Sequence, residues 1–305
     1  MKQVVLITGA NGMLAGYLAK QLSAEYSIRY LTRNVTKDNE YLWDLKDKYI
    51  DPKGLMGVNY IIHLAGSSIA EKRWSKKRKQ TILSSRVDSG RLILEELKKH
   101  HITIDAFISA SAIGYYGTRT TETIFNEESQ QGNDFLSDVC SKWENTAKLF
   151  TSENIADRVS VVRCGIILSK NGGALKQIVK PIKYGIGSGI GKGNQYIPWI
   201  HIDDLCDIFK FIIENKHISG IYNAVSPEHI TNIELVKKIA KILNRKIIFP
   251  NIPGFIIKGI LGERSILLLQ GSRVSSDSII KKGFNFKYNN LSKALNNILK
   301  SDKQE

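Results

Sequence analysis

Asp138 and Lys142 stand one helical turn apart in DFLSDVCSKWE (134–144), a segment patterned as an amphipathic helix. A carboxylate and an ammonium at this spacing usually form a solvated pair contributing about 0.2–0.5 kcal/mol. The same spacing also suits a catalytic acid–base pair. A second constellation opens the chain, where VVLITGANGMLAGYLAKQL joins an apolar run to a helical pattern through a glycine turn. Gly9 permits the tight bend, Gly12 lets backbone approach a pyrophosphate, and Ala15 is small where a helix must pack on a strand. The helix start beyond it offers unpaired N–H groups and a positive dipole end to phosphates.

Which dinucleotide such a turn would take is argued from the end of the next strand. An NAD site usually carries Asp or Glu there, about 20 residues on, for the ribose 2′-OH. This chain has Leu31-Thr32-Arg33-Asn34. No carboxylate is present and a guanidinium is available for a 2′-phosphate, which favours NADP. The candidate cofactor contacts are Thr8, Gly9, Asn11, Gly12, Met13, Leu14, Thr32, Arg33, Asp44, Leu64, Ala65, Gly66 and Lys142. A second glycine-rich stretch, YGIGSGIGKGNQ (184–195), fails as a phosphate loop. Ile186 stands where glycine is required, and Gly193 follows Lys192 where Ser or Thr should. With glycine at alternate positions from 185 to 193 it reads as a mobile loop.

The elements that must position these groups follow from periodicity. Strands are expected at 4–8, 28–32, 60–65, 106–112 and 159–168, with helices at about 12–23, 76–99 and 135–151. Strand–helix alternation with near-continuous apolar strands predicts an α/β fold with a doubly wound parallel sheet. A helix from about 203, a last sheet strand at 221–226, and short helices and loops around KIIFP (246–250) complete the pattern. The expected domains are 1–226, with the loop 169–196 contributing to a substrate cleft, and a smaller C-terminal α/β domain at 227–305.

The bulk numbers fit an ordinary soluble globular chain of 305 residues, 42% hydrophobic and 24% charged. Cys140, Cys164 and Cys206 are scattered, so free thiols in a reducing compartment are expected. No apolar run approaches the roughly 18 residues needed to span a bilayer, and the apolar N-terminal run breaks at Gly9, which points to a cytoplasmic protein without a membrane partner. The net charge of +15 includes the cluster EKRWSKKRKQ (71–80). The lysines are spread along the chain without a nucleic-acid-binding signature. A lysine-rich solvated surface is therefore the first reading, a phosphate-bearing small ligand the second, and nucleic acid the last.

TGANGMLAG, HLAGSSIAEKRW, RKQTILSSRV, SASAIGYYG, DFLSDVCSKWE, VVRCGIILSKNGGAL, PWIHIDD and LLLQGSRVSSDSIIKKGFNF occur in that order. Together they resemble an atypical extended branch of the short-chain dehydrogenase/reductases, whose members carry epimerase-family names, sometimes with a cell-division-inhibitor-like label. They close with a small C-terminal domain of unknown function. The resemblance implies a Rossmann fold, bound NADP, and a cleft between the sheet edge and the C-terminal part. It also implies that Lys142 holds the nicotinamide ribose and that Ser111 binds the reacting oxygen. In the wider superfamily a tyrosine four residues before that lysine relays the proton, and here Asp138 occupies its place. Aspartate has a reference pKa about six units below tyrosine's, so it cannot replace a neutral phenol donor. Arg86-Val87 likewise stands where the superfamily has Asn-Val.

Three replacements for the missing phenol come from these residues. Tyr115 or Tyr116 follows Ser111, and Tyr116 is preferred because Tyr116-Gly117 matches a common superfamily pair. His201 is an acid–base candidate, although structural satisfaction is its commoner role. Cys140 reads as core packing, Asp203 and Asp204 as the start of a helix, and Trp74, Trp143 and Trp199 as packing residues. Arg73 is a candidate contact for an anionic group, against the simpler reading of a solvated helix start. The expectation is an NADP-dependent oxidoreductase or epimerase-like enzyme acting on a small polar, nucleotide-linked carbonyl or hydroxyl compound. The alternative is a non-catalytic NADP-binding sensor or regulator. No metal site is expected.

Overall fold

In the computed structural model, which describes residues 2–300, the apolar run after Lys2 folds as strand β1, Val4–Thr8. Val5, Leu6 and Ile7 are fully enclosed on both faces, as a central strand of a covered parallel sheet requires. β2 (Ser27–Thr32) and β5 (Tyr60–His63) flank β1, both parallel to it. β6 (Ile104–Ala112) continues parallel beyond β5. On the other side β2 pairs in parallel with β3 (Glu40–Asp44), which pairs antiparallel with the two-residue β4 (Tyr49–Ile50). With β8 (Ala156–Cys164) and β11 (Gly220–Ala224) the sheet has the order β11-β8-β6-β5-β1-β2-β3-β4. The order reverses between β1 and β5, the switch point at which open α/β sheets bind ligands beyond their strand ends.

The helices form where the sequence caps them. α1 (Met13–Leu22) follows Gly12 and buries Ala15, Leu18 and Leu22. α2 (Lys76–Lys99) starts at Ser75, whose side chain accepts a hydrogen bond from the Arg78 N–H. α3 (Phe135–Ser152) buries Trp143, Ala147 and Phe150, and Phe150 stacks on Phe107 of β6 at 3.6 Å. α4 (Gly173–Lys183), α5 (Ile202–Glu214) and α6 (Asn232–Ile242) come later, α6 opened by the reciprocal Thr231–Glu234 box. The tail folds as α7 (Gly254–Leu261), α8 (Ile266–Leu269), α9 (Asp277–Lys281) and α10 (Leu291–Lys300).

The expected strand 159–168 is two strands. The Gly165 N–H bonds to Ala224, whereas the next N–H, on Ile166, bonds to Pro198. The chain therefore changes partner at Gly165, where a Cβ would lie 2.7 Å from the Pro198 oxygen. β9 (Ile166–Ser169) then forms its own parallel pair with β10 (Trp199–His201). A further short pair joins β7 (Ile124–Phe125) to β12 (Arg273–Val274). The alternating-glycine loop is tethered: Gly191 N–H bonds Ile252, and Ile252 N–H bonds Gly189. Its glycines serve positive φ at 185, 191 and 193 and close approaches such as Gly189 to Asn251.

The chain clusters into two compact units. One comprises 2–115, 135–163 and 206–222; the other comprises 116–134, 164–205 and 223–300. Each is interleaved in sequence rather than divided at a single point such as 226. The first unit has its core around Leu6, Leu31, Ile61, Ile93, Phe107 and Phe150. The second has its own around Leu168, Trp199, Leu235, Ile239, Leu291 and Leu295. No helix among the described residues is long and apolar enough to cross a membrane.

Candidate active site

Beyond the end of β1, Gly9 adopts φ +74°, and a Cβ there would meet the Leu64 oxygen at 3.1 Å. The chain can pass between β1 and the segment after β5 only as glycine. The Gly12 N–H closes the turn on the Gly9 oxygen at 2.8 Å. Gly12 is also the N-cap of α1 and gives that helix no side-chain cap, so the first-turn N–H groups keep their capacity for an anion. Asn11 and Gly12 are exposed, and Met13 and Leu14 half-exposed. Thr8 is buried, its Oγ1 accepting from the Leu64 and Ala65 N–H groups, each at 3.0 Å. It also lies 3.0 Å from His63 Nδ1. With two donors already directed at Oγ1, its own proton goes to His63. His63 Nε2 then faces Ser89 Oγ at 3.2 Å. Burial lowers the His63 pKa to about 4, so the ring is neutral at pH 7. This chain of bonds sets the Leu64–Gly66 segment beside the glycine turn.

At the end of β2, Thr32 is buried and its hydroxyl closes a local turn with Asn34. Arg33 is exposed, with no ion pair or hydrogen bond to any described residue. Its guanidinium is uncommitted, in the place argued for a 2′-phosphate. Asp44 ends β3 and spends Oδ1 on the Lys46 and Asp47 N–H groups in a local turn.

The Asp138–Lys142 pair forms, at 2.9 Å, with both side chains about half exposed. Ser111 is buried and donates to Glu144 Oε1 at 2.7 Å. Glu144 is gripped by Arg163, Nε to Oε1 at 2.9 Å and Nη2 to Oε2 at 2.8 Å. Both charges are almost fully enclosed, at 3% and 1% side-chain exposure. The Tyr115 ring lies over the Arg163 guanidinium, 3.4 Å from its centre. Ser111, Glu144, Arg163 and Tyr115 are thus one polar network at the end of β6. Sequence reasoning missed Glu144 and Arg163. The signal available was the lone charge of Arg163 in the apolar stretch VVRCGII; Glu144, two residues from Lys142, carried no such mark.

Tyr116 lies in the second unit. It is 1% exposed, donates its phenol to Asn223 Oδ1 at 2.7 Å, and stacks on Phe125 at 5.3 Å. That is the environment of a packing tyrosine. Cys140 is buried as a packing thiol, its pKa pushed up to about 12 by burial and then by the Glu144 charge. His201 is buried, with Nδ1 accepting from the Asp203 N–H, Nε2 against Asn297 Oδ1 at 3.1 Å, and its ring on Tyr288. Asp203 and Asp204 do start a helix, α5, and Asp204 also accepts from the Lys287 and Tyr288 N–H groups. Among the described residues, no His, Cys, Asp and Glu side chains gather as a metal site.

A strand order that reverses at β1, a glycine turn on the first helix, and Ser and Lys on β6 and α3 define a Rossmann-type protein of the dehydrogenase and epimerase class. The chain belongs to the NAD dependent epimerase/dehydratase family, whose model matches residues 5–141; residues 252–298 match a domain of unknown function, DUF1731. An epimerase family protein of Staphylococcus aureus is 34% identical over 98% of this chain and 100% of its own length. The crystal structure of human epimerase family protein SDR39U1 with NADPH superposes with a TM-score of 0.88 at 27% identity, covering 98% of this chain and 99% of that one. A nucleoside-diphosphate sugar epimerase from Corynebacterium glutamicum gives 0.79 at 28% identity, covering 98% of this chain and 58% of that one.

Proposed function

We propose that the protein is an NADP(H)-dependent oxidoreductase of the epimerase type, acting on a small polar carbonyl or hydroxyl compound. The observation that carries this reading is the open, uncapped glycine turn of α1 together with a free Arg33 at the end of β2. These residues fit the cofactor: backbone N–H groups for a pyrophosphate, and a guanidinium where an NAD site would carry a carboxylate. The relative solved with NADPH supports the phosphorylated cofactor. The relative described as a nucleoside-diphosphate sugar epimerase supports a nucleotide-linked substrate.

When bound, the nicotinamide supplies or accepts the hydride. The chain's own residues do the rest. Lys142 has three N–H donors and Asp138 engages one, which leaves donors for a ribose. Ser111 gives its proton to Glu144, so its oxygen faces a substrate as an acceptor and orients a hydroxyl rather than a carbonyl. Arg163 holds both Glu144 oxygens and so fixes the serine in that orientation. With the Tyr116 phenol engaged by Asn223, Tyr115 is the phenol we assign to the proton relay. The test is NADPH consumption, or NADP reduction, across a library of nucleotide sugars and small carbonyl compounds. Turnover that falls at least tenfold in Tyr115→Phe and Lys142→Ala is expected.

The ion-paired Asp138 in place of the usual phenol favours a second reading, a non-catalytic NADP-binding regulator. NADPH binding without turnover of any library member would establish that reading over the first.

A further inference from the structure

Arg78 and Arg86 project from the same face of α2 onto the segment after β5. Arg86 Nη1 donates to the oxygens of Ser67 at 3.1 Å and Ile82 at 2.9 Å, with Ser85 Oγ at 3.5 Å. Arg78 Nη1 donates to Ser67 Oγ at 3.3 Å and its Nη2 to the Ser68 oxygen. Two guanidinium groups therefore converge on Ser67. Gly66 makes the approach possible, since a Cβ there would lie 2.9 Å from the Arg86 guanidinium carbon. On its other side Arg86 lies over the Trp143 ring, at 5.1 Å.

Neither arginine has a carboxylate partner among the described residues. Nε and Nη2 of Arg86 have no acceptor among the described residues. Arg78 Nε is buried without one. Burial pulls the Arg86 pKa down to about 10, with Arg78 adding repulsion. Like charges held together in a partly dry place are costly unless an anion joins them. The sequence adds to the cost: Lys76, Lys77 and Arg78 occupy the first turn of a 24-residue helix, where the dipole already carries positive sign. The location is also close to the chemistry. Cys140 interacts with both Arg86 and Ser111, and Trp143 adjoins Lys142 on α3.

We propose that Arg78 and Arg86, held together by the Ser67 and Ser68 carbonyls, form an oxyanion subsite that takes a carboxylate or phosphate group of the substrate. The inference rests on the oxidoreductase reading above and deepens it: the substrate carries an anionic group within reach of the hydroxyl that meets Ser111. The planar Arg86 guanidinium, with Nε and Nη2 uncommitted, suits such a group in two-point contact, and Arg78 Nε adds a further donor.

The experiment is a calorimetric titration of the NADPH-saturated full chain with inorganic phosphate, and separately with acetate. Saturable binding of either ion is expected, weakened about tenfold or more in Arg78→Met and in Arg86→Met. Arg86→Lys should recover part of the loss. Thermal melts of each variant separate a lost site from a lost fold; Arg78, partly exposed, is the variant expected to keep its melting temperature. No binding to wild type, or binding unchanged in folded Arg78→Met, overturns the subsite. So does phosphate that binds only the cofactor-free protein and is displaced by NADPH, since the arginines would then serve the cofactor's pyrophosphate. Failure to bind NADPH at all would be a failure of the oxidoreductase reading instead, and is seen before the anion is added.

Discussion

His63 shows how one side chain can tie the candidate site to the stability of the molecule. It is fully enclosed, accepts from Thr8, and has its pKa lowered from 6.5 to about 4 by burial. A depressed folded-state value means that the unfolded chain takes up the proton first as pH falls. Stability from this group is therefore fully present above pH 6.5 and is lost as pH drops toward 4, by on the order of 3 kcal/mol. Denaturant titrations at pH 7 and pH 4.5 should show a larger loss for the wild type than for His63→Gln, which cannot titrate. Equal losses would contradict the neutral, buried ring. Cys140 offers a second check at this scale. With its thiol pushed up to about 12 and buried, it should resist alkylation at pH 8 until the protein is unfolded, while half-exposed Cys164 reacts first. The Asp138–Lys142 pair, half exposed on both sides, is worth little to the fold. Lys142→Ala should then change stability by less than about 0.5 kcal/mol while weakening NADPH several-fold, a split that a purely structural lysine would not give.

At the scale of the element, the β1–turn–α1 unit was legible almost residue by residue. β1 occupies the expected 4–8 and α1 runs Met13–Leu22, because apolar period, glycine and helix start all agree locally. Two features were not legible. β3, EYLWD, is five residues long with charged ends, and its only buried side chain is Trp43, so its period is masked. The break at Gly165 depends on which strands lie beside it, which no local pattern encodes. Gly9→Ala tests the turn: the left-handed φ and the contact with Leu64 should cost roughly 1–2 kcal/mol and abolish tight NADPH binding together. Phe150→Ala tests the core behind α3. It removes the stack on Phe107 and should cost about 3–5 kcal/mol in a denaturant titration.

Across the whole molecule, the parts of the site that lie in one stretch of sequence could be read in advance, and the parts assembled by the fold could not. The glycine turn, Arg33 and the Asp138–Lys142 spacing are local. Glu144 and Arg163 are 19 residues apart and meet beside Ser111 only because α3 packs on β6, the neighbour of β8 in the sheet. The burial of Tyr116 beside Asn223, 107 residues away, was equally out of reach; the preference for Tyr116 over Tyr115 rested on the Tyr116-Gly117 pair alone. The cluster at 71–80 looked like a solvated surface, and its last arginine turns out to reach the segment after β5. All of these assignments depend on a 2′-phosphorylated dinucleotide lying across the glycine turn with its phosphate on Arg33. Equilibrium titration of wild type and Arg33→Ala with NADPH and NADH tests that directly. NADPH should bind at least about tenfold more tightly than NADH in the wild type, with near-equal affinities in the variant. Equal affinities in the wild type, or a preference that survives the substitution, would contradict it.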